Sequence, residues 1–285
     1  MKAANPKKSL GQHFLTDVNF CRKIAAFAAI KPDDTVIEIG PGTGNLTEVL
    51  LQQARRVIGI EYDPEMIRCL QSRFSLEKPS SERLVIIQAD ILQLDWQRIL
   101  HLLPSASPAA SPIPGAILPA TLVGNLPYNI STRILSSMTK PDFRFQSSVV
   151  MVQREVANRI TATPNSKDYG YFSLLMQYHF AAQRGFDVPA GAFVPRPKIV
   201  SQVIKLEPHT MRSLDTRLYD QFVNLIRMAF RQRRKTLRNN LKPSVTDEQL
   251  LTASFEYCGL ARNVRPEQVT LQQYLCMTRV LSCPS

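Results

Sequence analysis

Histidine is scarce in this 285-residue chain, with four copies, and the five cysteines (Cys21, Cys69, Cys258, Cys276 and Cys283) are odd in number and never form a C-x-x-C pair. That usage argues against a zinc site and a disulfide framework, and no metal centre is expected. Long apolar runs are missing as well. No stretch approaches the roughly 18 to 20 residues of a membrane span. The first 19 residues lack the apolar segment of a secretory signal, so a cytoplasmic protein with no membrane partner is expected. Negative charge is in short supply, with 23 acids against 35 Lys and Arg and a net charge of +12. An excess of cations means either a polyanionic partner or a solvated surface, and its distribution decides. Residues 208–285 hold 12 Lys/Arg against 6 Asp/Glu, whereas the first 207 carry 23 against 17, so the charge is concentrated at the C-terminal end.

What is present begins with an amphipathic stretch, Val18 to Ile30, in which Phe20, Ile24, Phe27 and Ala28 fall at helical spacing. A β-rich run, Thr35 to Ile39, then breaks into Gly40-Pro41-Gly42-Thr43-Gly44 before a helical pattern from Leu46 to Leu51. Strand, glycine turn and helix make the first unit of a Rossmann-like sheet, where backbone at Gly40 and Gly42 can approach a ligand closely. A second strand ends in Glu61, 21 residues after Gly40, where a carboxylate can take both hydroxyls of a ribose. A third, Leu84 to Ile87, leads to Asp90, which can accept from the amino group of an adenine. Each acid is read either as a ligand group or as a helix N-cap. Glu38 is a charge inside an apolar strand. It needs a partner if buried, either a cationic or amine-bearing ligand or a nearby arginine.

Residues 104–119 hold five prolines and no charge, the composition of a surface insertion. The fourth strand ends in Asn125-Leu126-Pro127-Tyr128. An amide oxygen, a backbone carbonyl and an aromatic face at a strand's carboxyl end suit a flat base with an exocyclic amine, although such a turn by itself also fits a plain sheet edge. A strand over Ser147–Val152, a helix over Arg154–Ile160, a polar loop at Asn165–Gly170, a helix around Phe172–Gln177 and a strand over Ser201–Leu206 follow. In Phe193-Val194-Pro195-Arg196-Pro197-Lys198 the prolines hold an extended backbone, and Phe193 is either a second stacking surface for an unstacked base or a core residue. From Pro208 the pattern is helical. Phe222, Leu225, Ile226, Ala229 and Phe230 share one face, and Thr246-x-x-Gln249 and Thr270-x-x-Gln273 are capping-box signatures. Six cations fall between Arg231 and Lys242, among them Arg233, Arg234, Lys235 and Arg238, more than a helix dipole needs, which favours phosphate binding.

Taken together, Leu10-Gly11-Gln12-His13-Phe14-Leu15, Glu38 to Gly44, Gly124 to Ser131, Phe193 to Lys198 and Gln232 to Asn239 resemble the KsgA-type ribosomal RNA adenine dimethyltransferases over almost the whole chain. The resemblance implies an α/β fold: a Rossmann-like S-adenosylmethionine-dependent methyltransferase domain over 1–207 and a small all-helical RNA-binding domain over 208–285. It places His13 and Leu15 at the cofactor pocket, Gly40 against the methionine portion, Glu61 on the ribose, Asp90 at the adenine and Asn125 near the reactive methyl. Leu126, Pro127, Tyr128 and Phe193 complete the catalytic set. The implied substrate is a pair of adjacent adenosines near the 3′ end of small-subunit (16S) rRNA, each methylated twice at N6 by a monomer that binds no metal, with a role in small-subunit biogenesis. Three other readings stay open: a large-subunit rRNA dimethyltransferase, a docking factor for which methylation is secondary, and a nicotinamide dehydrogenase.

Overall fold

In the computed structural model, residues 7, 10–75, 83–94, 96, 99, 118–140, 145–209, 214–232, 234–245 and 247–282 are described. In chain order the elements are β1 (Phe14–Leu15), α1 (Val18–Ala28), β2 (Thr35–Ile39), α2 (Asn45–Gln53), β3 (Arg56–Glu61), α3 (Pro64–Phe74), β4 (Leu84–Gln88), β5 (Leu118–Asn125), α4 (Ser131–Ser137), β6 (Phe145–Gln153), α5 (Arg154–Ile160), α6 (Tyr171–His179), β7 (Phe180–Val188), β8 (Phe193–Val194), β9 (Ser201–Pro208), α7 (Thr216–Ala229), α8 (Leu237–Leu241), α9 (Glu248–Tyr257) and α10 (Leu271–Ser282). Residues 104–117 of the proline-rich stretch lie outside the described residues.

The chain forms two compact units, Met1–Ala157 with Ala181–Pro208, and Asn158–Phe180 with His209–Ser285. The division drawn from the sequence at 207/208 thus differs for Asn158–Phe180. That stretch joins the helical unit because Leu174, Leu175 and Tyr178 of α6 share a buried cluster with Phe222, Leu225 and Ile226 of α7. The polar loop before α6 is part of this packing: Tyr169 is buried and its phenol donates to the Val269 carbonyl at 3.0 Å.

The first unit is built on a seven-stranded sheet in the order β4-β3-β2-β5-β6-β9-β7. β4, β3, β2, β5 and β6 run parallel, and β9 runs antiparallel to β6. All five residues of β2 are buried, as expected for a central strand covered on both faces. From β2 the chain steps outward to β3 and β4, then returns to the other side of β2 as β5. Such a reversal opens a crevice beyond the carboxyl ends of the two strands where it occurs, here at Gly40 and Asn125. A short antiparallel pair, β1 with β8, sets Leu15 opposite Phe193.

Helix α1 buries Cys21, Ile24, Ala25 and Ala28. Its apolar seam is therefore rotated from the expected one, and Phe20 and Phe27 pack half-buried against Phe186. In the helical unit, α10 carries the expected capping box, with Thr270 Oγ1 accepting from Gln273 N and Gln273 Oε1 accepting from Thr270 N. For α9 the cap is Asp247, whose carboxylate accepts from Gln249 N and Leu250 N; Thr246 lies outside the described residues. One expectation from cysteine usage is overturned. Cys258 and Cys276 are disulfide-bonded, because the end of α9 and the middle of α10 bring their Cα atoms to 5.9 Å, within bonding reach for residues 18 apart in sequence. An odd total count does not exclude one local pair.

Candidate active site

The glycine turn after β2 has a conformation that side chains resist. Gly40 has φ +66° and Gly42 φ +55°. A Cβ on Gly42 would stand 2.9 Å from the Phe14 ring. A Cβ on Gly40 would meet no protein atom nearer than the Asn125 carbonyl at 3.9 Å and would stand in the crevice itself. The turn is braced from α3. The Arg73 guanidinium donates to the Thr43 carbonyl (2.6 Å) and Asn45 Oδ1 (2.7 Å) and pairs with Glu48 (2.6 Å).

The strand-end acids are held firmly. Glu61 accepts from Gly42 N through Oε2 (3.0 Å) and from Tyr62 N and Asp63 N through Oε1 (both 2.9 Å), which leaves acceptor capacity on Oε2. Burial nevertheless keeps its carboxyl above the ordinary range. Asp90 is both a turn cap and a cavity residue: it accepts from Leu92 N (2.9 Å) and Gln93 Nε2 (3.1 Å) while lining the crevice.

The segment before β1 lies along this same edge. Asn125 Nδ2 donates to the His13 carbonyl at 2.8 Å, and Asn45 Nδ2 to the Leu15 carbonyl at 2.8 Å. Farther out, Gln12 Nε2 and Lys7 Nζ both reach Asp63, at 3.0 and 2.7 Å. Burial opposes ionisation of Asp63, but the bonds from Lys7, Gln12 and Glu65 N outweigh it and hold its carboxyl below the usual range. His13 donates through Nδ1 to the Pro195 carbonyl (2.8 Å) and stacks on Tyr128, with ring centroids 5.2 Å apart and planes 27° apart. The Tyr128 hydroxyl is hydrogen-bonded to Ser201, and burial raises its pKa.

One cavity of about 300 Å³ gathers His13, Gly40, Gly42, Glu61, Asp90, Asn125, Leu126, Pro127 and Tyr128. Three candidates are elsewhere. Leu15 belongs to the hydrophobic core, where it contributes packing rather than cavity wall. Phe193 is 1% exposed in that same core, so its ring offers no stacking face here. Glu38 is buried on β2, where Thr47 Oγ1 donates to it at 2.7 Å and no arginine pairs with it among the described residues. Burial pushes its carboxyl up to about 8; the Thr47 bond opposes this and the Glu61 charge adds to it.

Sequence reasoning missed Gln12, Tyr62, Asn129 and Arg133, all of which line the cavity. Gln12 sits inside a stretch already singled out, and Asp63-Pro64 is a helix-start signal that could have located α3 and the adjacent latch. Nothing in the sequence pattern marks Arg133.

Of the basic run, Arg231, Arg234 and Lys235 are exposed, and Arg233 lies outside the described residues. Arg238 is turned inward, paired with Glu248 and donating to Thr252 Oγ1 at 3.0 Å, so it braces the helical unit instead of presenting a free cation. The turn that carries the exposed cations is pinned by Asn240, a buried side chain whose Nδ2 donates to the carbonyls of Ala229 (2.7 Å) and Gln232 (3.1 Å).

The arrangement, then, is a glycine cradle beside two fixed carboxylates, with an amide acceptor and an aromatic ring at the adjoining strand end. A family model described as ribosomal RNA adenine dimethylase matches residues 3–282. The chain belongs to the ribosomal RNA adenine dimethylase family. Relatives of this dimethylase include the ribosomal RNA small subunit methyltransferase A of Natranaerobius thermophilus, 36% identical over 97% of this chain and 92% of that protein. The protein of the same description from Aromatoleum aromaticum is 35% identical over 100% of this chain and 97% of its own. A dimethyladenosine transferase from Plasmodium falciparum superposes with a TM-score of 0.72 at 24% identity, covering 93% of this chain and 96% of that one. The 23S rRNA methyltransferase ErmE gives 0.68 at 22%, covering 95% and 100%. At such identities the structural likeness speaks for the fold: a Rossmann-like methyltransferase sheet followed by helices. Among the described residues no helix is long and apolar enough to cross a membrane, and no group of three or more His, Cys, Asp or Glu is placed to hold a metal ion.

The dimethylase cavity suits the cofactor implied by the family. At Gly40 a Cβ would occupy the space a ligand needs, and the remaining acceptor capacity at Glu61 matches ribose hydroxyl donors.

Proposed function

We propose that this chain transfers methyl groups from S-adenosylmethionine to N6 of two adjacent adenosines near the 3′ end of small-subunit rRNA, twice on each, and acts in small-subunit biogenesis. The observation that carries this reading is the fixed amide of Asn125. Its nitrogen is committed to the His13 carbonyl, so Oδ1 is left as the acceptor on a residue that lines the crevice.

When bound, S-adenosylmethionine supplies an electrophilic methyl group; His13, Gly40, Gly42, Glu61 and Asp90 are the residues that would hold it. The rest of the chemistry belongs to the chain and the base. An adenine amine is a weak nucleophile because its lone pair is delocalised into the ring. Acceptance of its two N–H bonds by Asn125 Oδ1 and the Leu126 carbonyl favours a pyramidal nitrogen with a localised lone pair. The Leu126 backbone is fixed for this role by its N–H bond to the Met151 carbonyl at 3.1 Å. Tyr128 offers a ring to the base, oriented by Ser201 and by His13 on one face. No strong base is needed, because an N-methylated amino nitrogen is acidic enough to lose its proton to water.

The test is transfer of labelled methyl from S-adenosylmethionine to small and large subunits that lack the modification, with the modified nucleosides identified by mass. Two dimethyladenosines near the 3′ end of the small-subunit rRNA are expected. Labelling of the large-subunit rRNA alone, or tight subunit binding with no transfer, would overturn the assignment.

The exposed cations of the helical unit are proposed to bind RNA phosphate. Replacing Arg231, Arg234 and Lys235 together with glutamine should weaken RNA binding and flatten its dependence on salt by about 0.7 to 0.9 in log–log slope for each phosphate no longer neutralised. Titrations at several salt concentrations would read this directly, and an unchanged slope would place the RNA on another face.

A further inference from the structure

The same sheet has a second cavity, of about 940 Å³, at its opposite, amino edge. Three strands begin there. Thr35 opens β2, Arg56 opens β3 opposite it in register, and Arg83 stands immediately before β4. With Arg55 and the glutamines at the end of α2, these residues line the cavity. The length of β2, about 17 Å for five residues, separates it from the glycine turn.

No carboxylate lines this cavity among the described residues. The neighbouring Asp34 is turned to other work, its side chain accepting from Lys31 N (2.8 Å) and its carbonyl accepting from Arg55 N and Arg56 N (3.0 and 3.4 Å). The carbonyl end of α2 would ordinarily repel an anion. Arg83 offsets that repulsion by donating through Nη2 to the Leu51 and Ala54 carbonyls (2.5 and 2.8 Å) and through Nε to the Arg55 carbonyl (3.3 Å), which leaves Nη1 uncommitted among the described residues. Arg55 is exposed, with no ion pair among the described residues. Thr35 supplies the observation that points to a ligand. Thr35 lines the cavity and is 1% exposed, and its Oγ1 has no hydrogen-bond partner among the described residues. A hydroxyl buried in that state is costly unless something enters to accept from it.

We propose that this cavity binds a phosphate group and that, in the RNA complex, it takes one backbone phosphodiester far from the reacting base. Guanidinium donors with a hydroxyl beside them and, among the described residues, no carboxylate in the lining match the donor-only chemistry of a phosphate site. A phosphodiester held in this way positions the RNA without reading its sequence. The assignment to RNA rests on the function proposed above; the affinity for phosphate does not.

The test uses the full chain and two substitutions. Arg55→Gln removes a side chain that makes no hydrogen bond among the described residues, and Thr35→Val removes only the buried hydroxyl. Binding of inorganic phosphate is measured by calorimetry, binding of a small-subunit rRNA fragment is measured across salt concentrations, and methyl transfer is measured at saturating RNA. Arg55→Gln is expected to weaken both phosphate and RNA binding about tenfold and to lower the salt slope by about 0.7 to 0.9, with transfer at saturation unchanged. Thr35→Val should weaken phosphate binding in the same direction. Equal phosphate binding by the unsubstituted chain and both variants would overturn the site. Weakened phosphate binding with unchanged RNA affinity and slope would overturn the RNA assignment and leave a site for a small phosphate compound. If the unsubstituted chain transfers no methyl, the proposed function fails, while the phosphate measurement still decides the site.

Discussion

Asn125→Ala is expected to reduce single-turnover methyl transfer by on the order of 10³-fold while leaving RNA affinity nearly intact. The size follows from what one well-placed hydrogen-bonding group contributes when charge or geometry changes only at the reacting centre. The substitution removes Oδ1, one of the two proposed acceptors for the adenine amine, and also the bond from Nδ2 to the His13 carbonyl. Loss of that bond loosens the segment lying over the cavity, so cofactor affinity should fall as well. Rates must therefore be compared at saturating cofactor. RNA affinity, read in parallel by direct titration, should stay close to the unsubstituted value because the proposed role gives Asn125 only one amine of a long substrate. Turnover retained at saturation would remove Asn125 from the catalytic set.

The second large effect concerns stability. Burial raises the Glu38 carboxyl to about 8, with the Thr47 hydroxyl opposing the shift and Glu61 adding to it. An unfolded glutamic acid titrates near 4.3. Between those values the folded chain keeps a proton that the unfolded chain has released, so stability falls as pH rises from about 4 and levels off above about 8. At about 1.4 kcal/mol per unit of separation, the loss across the window is on the order of a few kcal/mol. Glu38→Gln removes the titration and keeps an oxygen to accept from Thr47. Thermal unfolding midpoints measured from pH 5 to pH 9 should fall for the unsubstituted chain and flatten for the variant, which should be the more stable protein at pH 9. Parallel curves would show that Glu38 does not hold its proton in the fold.

These two residues also mark what a sequence can convey. The place of Asn125 at a strand end beside the crevice was legible because the signal is local: a strand, a turn and an aromatic within four residues. Glu38 was legible only as a problem, a charge that needed a partner. The partner is a threonine nine residues on, brought over the strand by the α2 crossover, and no local pattern names it. Phe193 was open between two roles, and the decision came from a pairing with Leu15 across nearly the whole first unit. Arg238 looked like its neighbours in the basic run until α9 placed Glu248 beside it. Strand β7 went unread because Arg184, Gly185 and Asp187 interrupt any alternation, as a strand at the end of a sheet allows. The disulfide belongs with these cases, since Cys258 and Cys276 meet only once α9 and α10 pack together in the helical unit.

The helical unit is assembled from two stretches of chain, 158–180 and 209–285, with β7 and β9 between them. No single cut separates it. A fragment beginning at Pro208 leaves behind α6, and with it Leu174, Leu175 and Tyr178, so it exposes the face of α7 that they cover. The complementary fragment keeps those same side chains with nothing to bury them. Obtaining either unit alone would require a polypeptide in which the separated stretches are rejoined, and a circularly closed or internally linked chain is the form in which this fold can be divided.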